Sequence, residues 1–144
     1  MSASVDLYDV NVWISLILED HPQHEKARKV LDFPERPAFC RITQLGVLRL
    51  LTNSKVMGKK TMKTAEAFLY LRKMEKSLGV FWIHEQDHFE SLWENHVRTW
   101  NISPSDWTDA YLATLAEVAR VRLVTLDQDF EKFPTKFNLL ILGY

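Results

Sequence analysis

Leu123-Val124-Thr125-Leu126-Asp127 is an unbroken apolar run closed by a carboxylate. It follows a segment in which Trp107, Tyr111, Leu115 and Val118 recur at helical spacing. A short continuous apolar run fed by an amphipathic helix marks a strand buried on both faces, the situation in a parallel sheet covered by helices. The pattern predicts a helix opened by Ser103-Pro104-Ser105 with those four residues facing the core, then a strand over 123–126.

The same alternation extends in both directions. Residues 5–8 read as a first strand, with Asn11 placed to cap a helix through Val12, Trp13, Leu16 and Ile17. A second helix starts near Pro22 and carries Ala27, Val30 and Leu31, after which Pro34 and Pro37 enforce a turn. Residues 38–42 form a second strand, and Thr43 caps a helix through Leu45, Leu48, Leu51 and Thr52. Residues 53–60 make a long polar connection. Thr64 caps the next helix, whose Ala67, Leu71, Met74 and Leu78 precede a stop at Gly79. A strand over 80–83 follows, then a helix capped by Asp87 that carries Phe89, Leu92, Trp93, His96, Val97 and Trp100, and residues 139–142 close the chain as a fifth strand. No repeat or linker interrupts the series. The expectation is one α/β domain over residues 1–144: a three-layer α/β/α fold on a central, mostly parallel five-stranded sheet.

Composition narrows the function. The 144 residues are 47% hydrophobic and 26% charged, with a net charge of −1, which excludes disorder and a protein basic throughout. Cys40 is the one cysteine, so it forms no internal disulfide and builds no cysteine zinc site; it reads as a buried strand residue. The N-terminus lacks the basic start and apolar core of a signal peptide, and no apolar run is long enough for a membrane span, so a cytoplasmic protein is expected.

Chemistry is expected at the carboxyl ends of the strands, where open α/β sheets bind ligands. Asp9 and Asp127 fall at such ends, and Asp109 lies in the first turn of the helix that leads into the fourth strand. Carboxylates brought together repel unless protons or cations neutralise them, and hard oxygen donors suit Mg²⁺ or Mn²⁺. Each also has a structural alternative. Asp9 can cap a turn, Asp109 can be the third residue of a helix capped by Asp106, and Asp127 with Asp129 can form an Asx turn. Asn11 and Thr125 are polar residues at strand ends that serve equally as caps or as orienters of these carboxylates.

The segments Asp9-Val10-Asn11-Val12-Trp13-Ile14, His21-Pro22-Gln23-His24-Glu25-Lys26-Ala27, residues 43–53 from Thr43 to Asn53, Thr108-Asp109-Ala110-Tyr111-Leu112-Ala113 and Leu126-Asp127-Gln128-Asp129-Phe130, in that order, resemble the PIN-domain, VapC-type toxins. The resemblance implies an α/β/α sandwich and a metal-dependent endoribonuclease that is the toxin of a toxin–antitoxin pair. It further implies a homodimer and a cognate antitoxin whose peptide enters the acidic cleft. Asp9, Asp109 and Asp127 match three acidic positions of the family. At a fourth, usually Glu, this chain has Gly46; Gln44 can support a water there, and Asp106 or Asp129 can supply a carboxylate. Fewer acids weaken a second metal site, so a one-metal mechanism or low activity is compatible with the pattern.

RNA near an acidic cleft needs cations on the rim. Arg41, Arg49, Lys55, Lys59, Lys60 and Lys63 are the candidates, although a solvated loop and helix face is the preferred explanation for them. Two other readings stand. Loss of the Gly46 acid can leave a PIN-fold binding module without catalysis. His84-Glu85-Gln86-Asp87-His88 matches H-E-x-x-H, the zinc metallopeptidase pattern, but it follows the β-like Phe81-Trp82-Ile83 rather than lying on a helix.

Overall fold

The computed structural model describes residues 4–134 and 137–143. Its five strands are β1 Val5–Tyr8, β2 Arg36–Phe39, β3 Phe81–Trp82, β4 Arg122–Thr125 and β5 Asn138–Ile141, and its helices are α1 Val10–Ile17, α2 His24–Val30, α3 Arg41–Leu51, α4 Ser54–Met57, α5 Thr64–Leu78, α6 Phe89–Trp100 and α7 Trp107–Ala119. All strand pairs are parallel, in the order β3-β2-β1-β4-β5. The chain therefore builds outward from β1 to β3, then returns to lay β4 against the other side of β1.

Register converts sequence alternation into two cores. Leu7 lies opposite Ala38 and Leu123, and Leu123 opposite Leu139, forming a row of apolar side chains across the sheet. Tyr8, Val124 and Leu140 form the adjacent row and point to the other face, as successive strand residues must. The first row packs with Phe89, Ala110, Leu112 and Leu115 of α6 and α7. The second packs with Val12 and Trp13 of α1, Ala27 of α2, Val47 of α3 and Leu71 of α5. Helices thus cover both faces, giving the expected three layers.

Several boundaries differ from the sequence expectation. Helix α1 is capped by Asp9, whose Oδ1 accepts from the Val10 N–H at 2.7 Å, while Asn11 lies inside the helix. Strand β2 begins earlier, so Pro37 sits in the strand rather than in a turn. The Arg36 N–H donates toward β1, to Ser4 O. Pro37 therefore faces the other side, where β3 starts only opposite Ala38 and no donor is required. Cys40, buried as expected, is the residue preceding α3, and Thr43 reaches back to it: the Cys40 N–H donates to Thr43 Oγ1 at 3.0 Å. Lys63 and His88, not Thr64 and Asp87, precede α5 and α6, and α2 begins at His24. Residues 53–60 contain α4 and a 3-10 turn, with Asn53 Oδ1 accepting from Lys55 N–H. Gly79 ends α5 at φ 64°, as its position predicted. Trp107 was expected in the core but is 51% exposed.

The lower end of the sheet carries a feature the sequence left unread. Asp6 is fully buried and accepts two hydrogen bonds from Arg122, at 2.9 and 2.8 Å, with Glu35 also 3.5 Å from that guanidinium. Among the described residues no helix is long and apolar enough to cross a membrane.

Candidate active site

Strands β1 and β4 are neighbours at the point where the order of connection reverses, and their carboxyl ends open the crevice in which such folds bind ligands. Asp9 follows β1 directly, and its backbone N–H donates to Val124 O of β4 at 2.9 Å. Its carboxylate is only 8% exposed. Oδ1 caps α1, and Oδ2 accepts from the Thr125 hydroxyl at 2.7 Å. The same hydroxyl oxygen accepts from the Asp127 N–H at 3.0 Å and, at 3.4 Å, from Asn11 Nδ2. Asn11 Oδ1 in turn accepts from Leu126 N–H at 3.2 Å. Thr125 and Asn11 thereby fasten α1 to the end of β4 and fix the face that Asp9 presents.

Asp127 closes the strand through an Asx turn, its Oδ1 accepting from Asp129 N–H at 2.9 Å. Asp109 is half-buried in the first turn of α7. Capping and charge coupling coexist: Asp9 and Asp127 fill local roles, and the charges of both act on Asp109. Burial, then the charges of Asp9 and Asp127, push the Asp109 carboxyl up to about 7. Asp9 is raised by burial against the pull of the Thr125 and Val10 hydrogen bonds, with the Asp127 charge adding to the rise.

The site asks for cations by its donor chemistry. Burial and neighbouring carboxylate charge raise Asp109 and Asp9, and such oxygen donors suit a hard divalent ion. Among the described residues no three His, Cys, Asp or Glu side chains make a ready metal cage. Mg²⁺ does not need one, because it keeps several waters and takes one or two carboxylates. The residues present fit such an ion.

The supporting candidates separate. Asp106 is engaged on both oxygens: Oδ2 accepts from the Ser103 N–H and hydroxyl at 3.1 and 2.8 Å, and Oδ1 accepts from Lys132 Nζ at 2.6 Å. Lys132, followed by Ser103, holds the Asp106 carboxyl down at about 2. Asp106 is tied into an ion pair at the rim instead of standing free to replace the missing acid. Gln44 is buried, and its oxygen accepts from the Arg41 guanidinium. Asp129 is exposed on the turn after Asp127. Lys132 escaped the sequence reading because its partner lies 26 positions away.

Gly46 has a steric cause. A Cβ at this position would stand 2.6 Å from Val10 Cγ2, so α1 and α3 approach closely here and a side chain would require Val10 to shift. Arg49, exposed one turn further along α3, borders a groove of about 640 Å³ with Val10, Gly46 and Asn53. Arg41 follows β2 at the same sheet edge. Lys55, Lys59 and Lys60 are exposed around α4, where Lys60 faces Asp20 at 3.8 Å. A groove of about 820 Å³ includes the amino ends of β1, β4 and β5 and lies off the acidic centre. The H-E-x-x-H segment is not helical: residues 84–88 precede α6, so His84 and His88 lack the one-turn spacing a zinc pair needs.

Residues 7–136 match the family model described as PIN domain. The chain is 34% identical over 134 residues to Ribonuclease VapC41 of Mycobacterium tuberculosis, covering 88% of this chain and 92% of that protein. It is 34% identical over 125 residues to Ribonuclease VapC44 of the same organism, covering 85% of each. Among solved structures, VapBC2 from Rickettsia felis bound to a promoter DNA fragment matches with a TM-score of 0.67 at 13% identity, covering 96% of this chain and 99% of that one. VapBC-1 from nontypeable Haemophilus influenzae matches with a TM-score of 0.66 at 14% identity, covering 96% and 98%.

Proposed function

Because the chain belongs to the PIN-domain family, we propose that it is a Mg²⁺-dependent endoribonuclease, with Mn²⁺ as a substitute, acting as the cytoplasmic toxin of a toxin–antitoxin pair. The observation that carries this reading is the buried Asp9 carboxylate held by Thr125 at the β1–β4 edge and charge-coupled to Asp109 and Asp127, a coupling that a cation relieves. Asp9, Asp109 and Asp127 would hold the ion, with water completing its coordination. Bound there, Mg²⁺ would supply a water of lowered pKa and positive charge against the phosphodiester transition state.

The chain's own residues do the rest by placement. Thr125 fixes the Asp9 carboxylate, Asn11 holds the β4 end in register with α1, and burial keeps bulk water from the inner oxygens of Asp9. Lys132 neutralises Asp106, so that carboxylate adds less repulsion to an approaching RNA backbone. Arg49, exposed beside the groove at Val10 and Gly46, is a rim cation that can meet phosphates. The cognate antitoxin belongs to the same reading, supported by neighbours that are VapBC assemblies, and the homodimer is carried over from the family resemblance.

Cleavage of single-stranded RNA by purified protein in Mg²⁺ or Mn²⁺ tests the proposal. Asp9→Asn and Asp109→Asn are each expected to abolish it, and EDTA to do the same. Absence of cleavage in the wild type would favour a binding module, the reading that Gly46 suggests. Cleavage that survives both substitutions would rule out the carboxylate centre.

A further inference from the structure

Two residues of the H-E-x-x-H motif, His84 and Glu85, take part in a second feature of the carboxyl edge. Arg41 follows β2, His84 follows β3 by one residue, and Tyr111 lies on α7 two positions beyond Asp109. With Trp82, Ile83 and Glu85 they line a cavity of about 170 Å³. Neighbouring strands lie ~4.8 Å apart, so this cavity stands one to two strands from Asp9, within the reach of a nucleotide adjoining the acidic centre. The Trp82 ring is half-buried, and the exposed His84 ring lies near-parallel to it, at 23° with centroids 6.4 Å apart. Arg41 holds its guanidinium 5.0 Å from the Trp82 ring centroid and is anchored by Gln44. The Tyr111 hydroxyl donates to Glu85 Oε2 at 2.7 Å, which fixes that carboxylate and leaves Oε1 open.

We propose that this cavity is a nucleobase subsite for guanine in the RNA substrate, a proposal that rests on the ribonuclease reading. The exposed His84 ring takes any base by stacking. The two charged groups of opposite sign supply the selection. Guanine presents N–H donors at N1 and N2 on one edge, for the Glu85 carboxylate, and the paired acceptors O6 and N7 on the next, for the Arg41 guanidinium. Cytosine satisfies Glu85 through its N4 amino group but lacks the paired acceptors; adenine and uracil match neither group as well. Unpaired RNA exposes these edges. Glu85 is thus a specificity residue rather than a metallopeptidase base.

The experiment uses labelled single-stranded RNA hexamers, adenosine throughout except for one central guanosine, inosine, cytidine, uridine or adenosine. Binding is read by fluorescence anisotropy with Ca²⁺ in place of Mg²⁺, and cleavage is read separately with Mg²⁺. The guanosine hexamer should bind about tenfold tighter than the all-adenosine one, and inosine, which lacks the N2 amino group, should lose part of that gain. Glu85→Gln keeps an acceptor for Tyr111 and should abolish the guanine preference. His84→Ala should weaken every hexamer alike. A wild type without base preference, a preference for cytidine, or a guanine preference that survives Glu85→Gln overturns the subsite. Guanine-selective binding without cleavage overturns the ribonuclease reading and keeps the subsite; cleavage without base preference does the reverse.

Discussion

Thr125 donates its hydroxyl hydrogen to Asp9 Oδ2 at 2.7 Å, across 116 positions of sequence, and both residues are buried. One strand end orients the carboxylate of another, and the site depends on that bond. Thr125→Val, similar in shape but without the hydroxyl, should lower Mg²⁺ affinity by about 10- to 100-fold, the usual cost of removing an orienting partner. Thr125→Ser should restore most of it. Calorimetric titration with Mg²⁺ checks this; equal affinity in wild type and the valine variant would show that the bond only packs.

The repulsion at Asp109 predicts a pH-dependent stability. Its folded carboxyl titrates near 7, above the ordinary aspartate range, so the metal-free fold binds a proton that the unfolded chain has released. That contribution is complete below the unfolded value of about 3.9 and is lost as pH rises through about 7. In EDTA, the Tm should therefore fall between pH 5 and 8 through this group, and Asp109→Asn should flatten the fall. Added Mg²⁺ should raise Tm at pH 8 and do little at pH 5. A slope unchanged by Asp109→Asn would contradict this account.

Gly46 and Val10 are predicted to be coupled. Gly46→Ala forces a methyl to within 2.6 Å of Val10 Cγ2 and should destabilise the fold by about 1–3 kcal/mol, the range for overpacking. In a Val10→Ala background the same change should cost much less. Urea denaturation of the four proteins gives the coupling energy, and additive effects would mean that α1 and α3 separate freely. The corollary is that Gly46→Glu alone should fail to strengthen metal binding.

Asp6 anchors the amino end of the sheet. Asp6→Asn leaves the Arg122 guanidinium without its bidentate carboxylate, and breaking so buried a pair typically costs ~3–5 kcal/mol. Joint substitution by well-packed apolar residues should recover part of the loss. Chemical denaturation measures both, and a loss below about 1 kcal/mol for the single change would place the pair with weak surface bridges.

The sequence carried much of this architecture because burial leaves a periodic trace. The run around Val124 and the stripe from Tyr111 to Leu115 announce a strand and its covering helix, since each must bury one set of side chains. Boundaries were less legible. Asp9 took the cap expected of Asn11, and Cys40 preceded the helix expected to start at Thr43, because several polar residues near a helix start can serve it equally. Trp107 kept helical register with the core yet emerged exposed, since register says which stripe a residue joins and not where the covering layer ends.

By itself the sequence determined the class of fold, through the alternation of strand and helix, and it singled out three aspartates as candidates by their placement near strand ends and a helix start. The tertiary structure decided their meaning. Only the parallel order, with β4 returning beside β1, brings Asp9, Asp109 and Asp127 into one field, and only the close approach of α1 and α3 explains Gly46. It also ties Asp106 to Lys132 and sets Glu85 against Tyr111. Local pattern fixes which face a residue turns to the core, whereas charge coupling and steric contact act between atoms whose separation along the chain is unrelated to their separation in space.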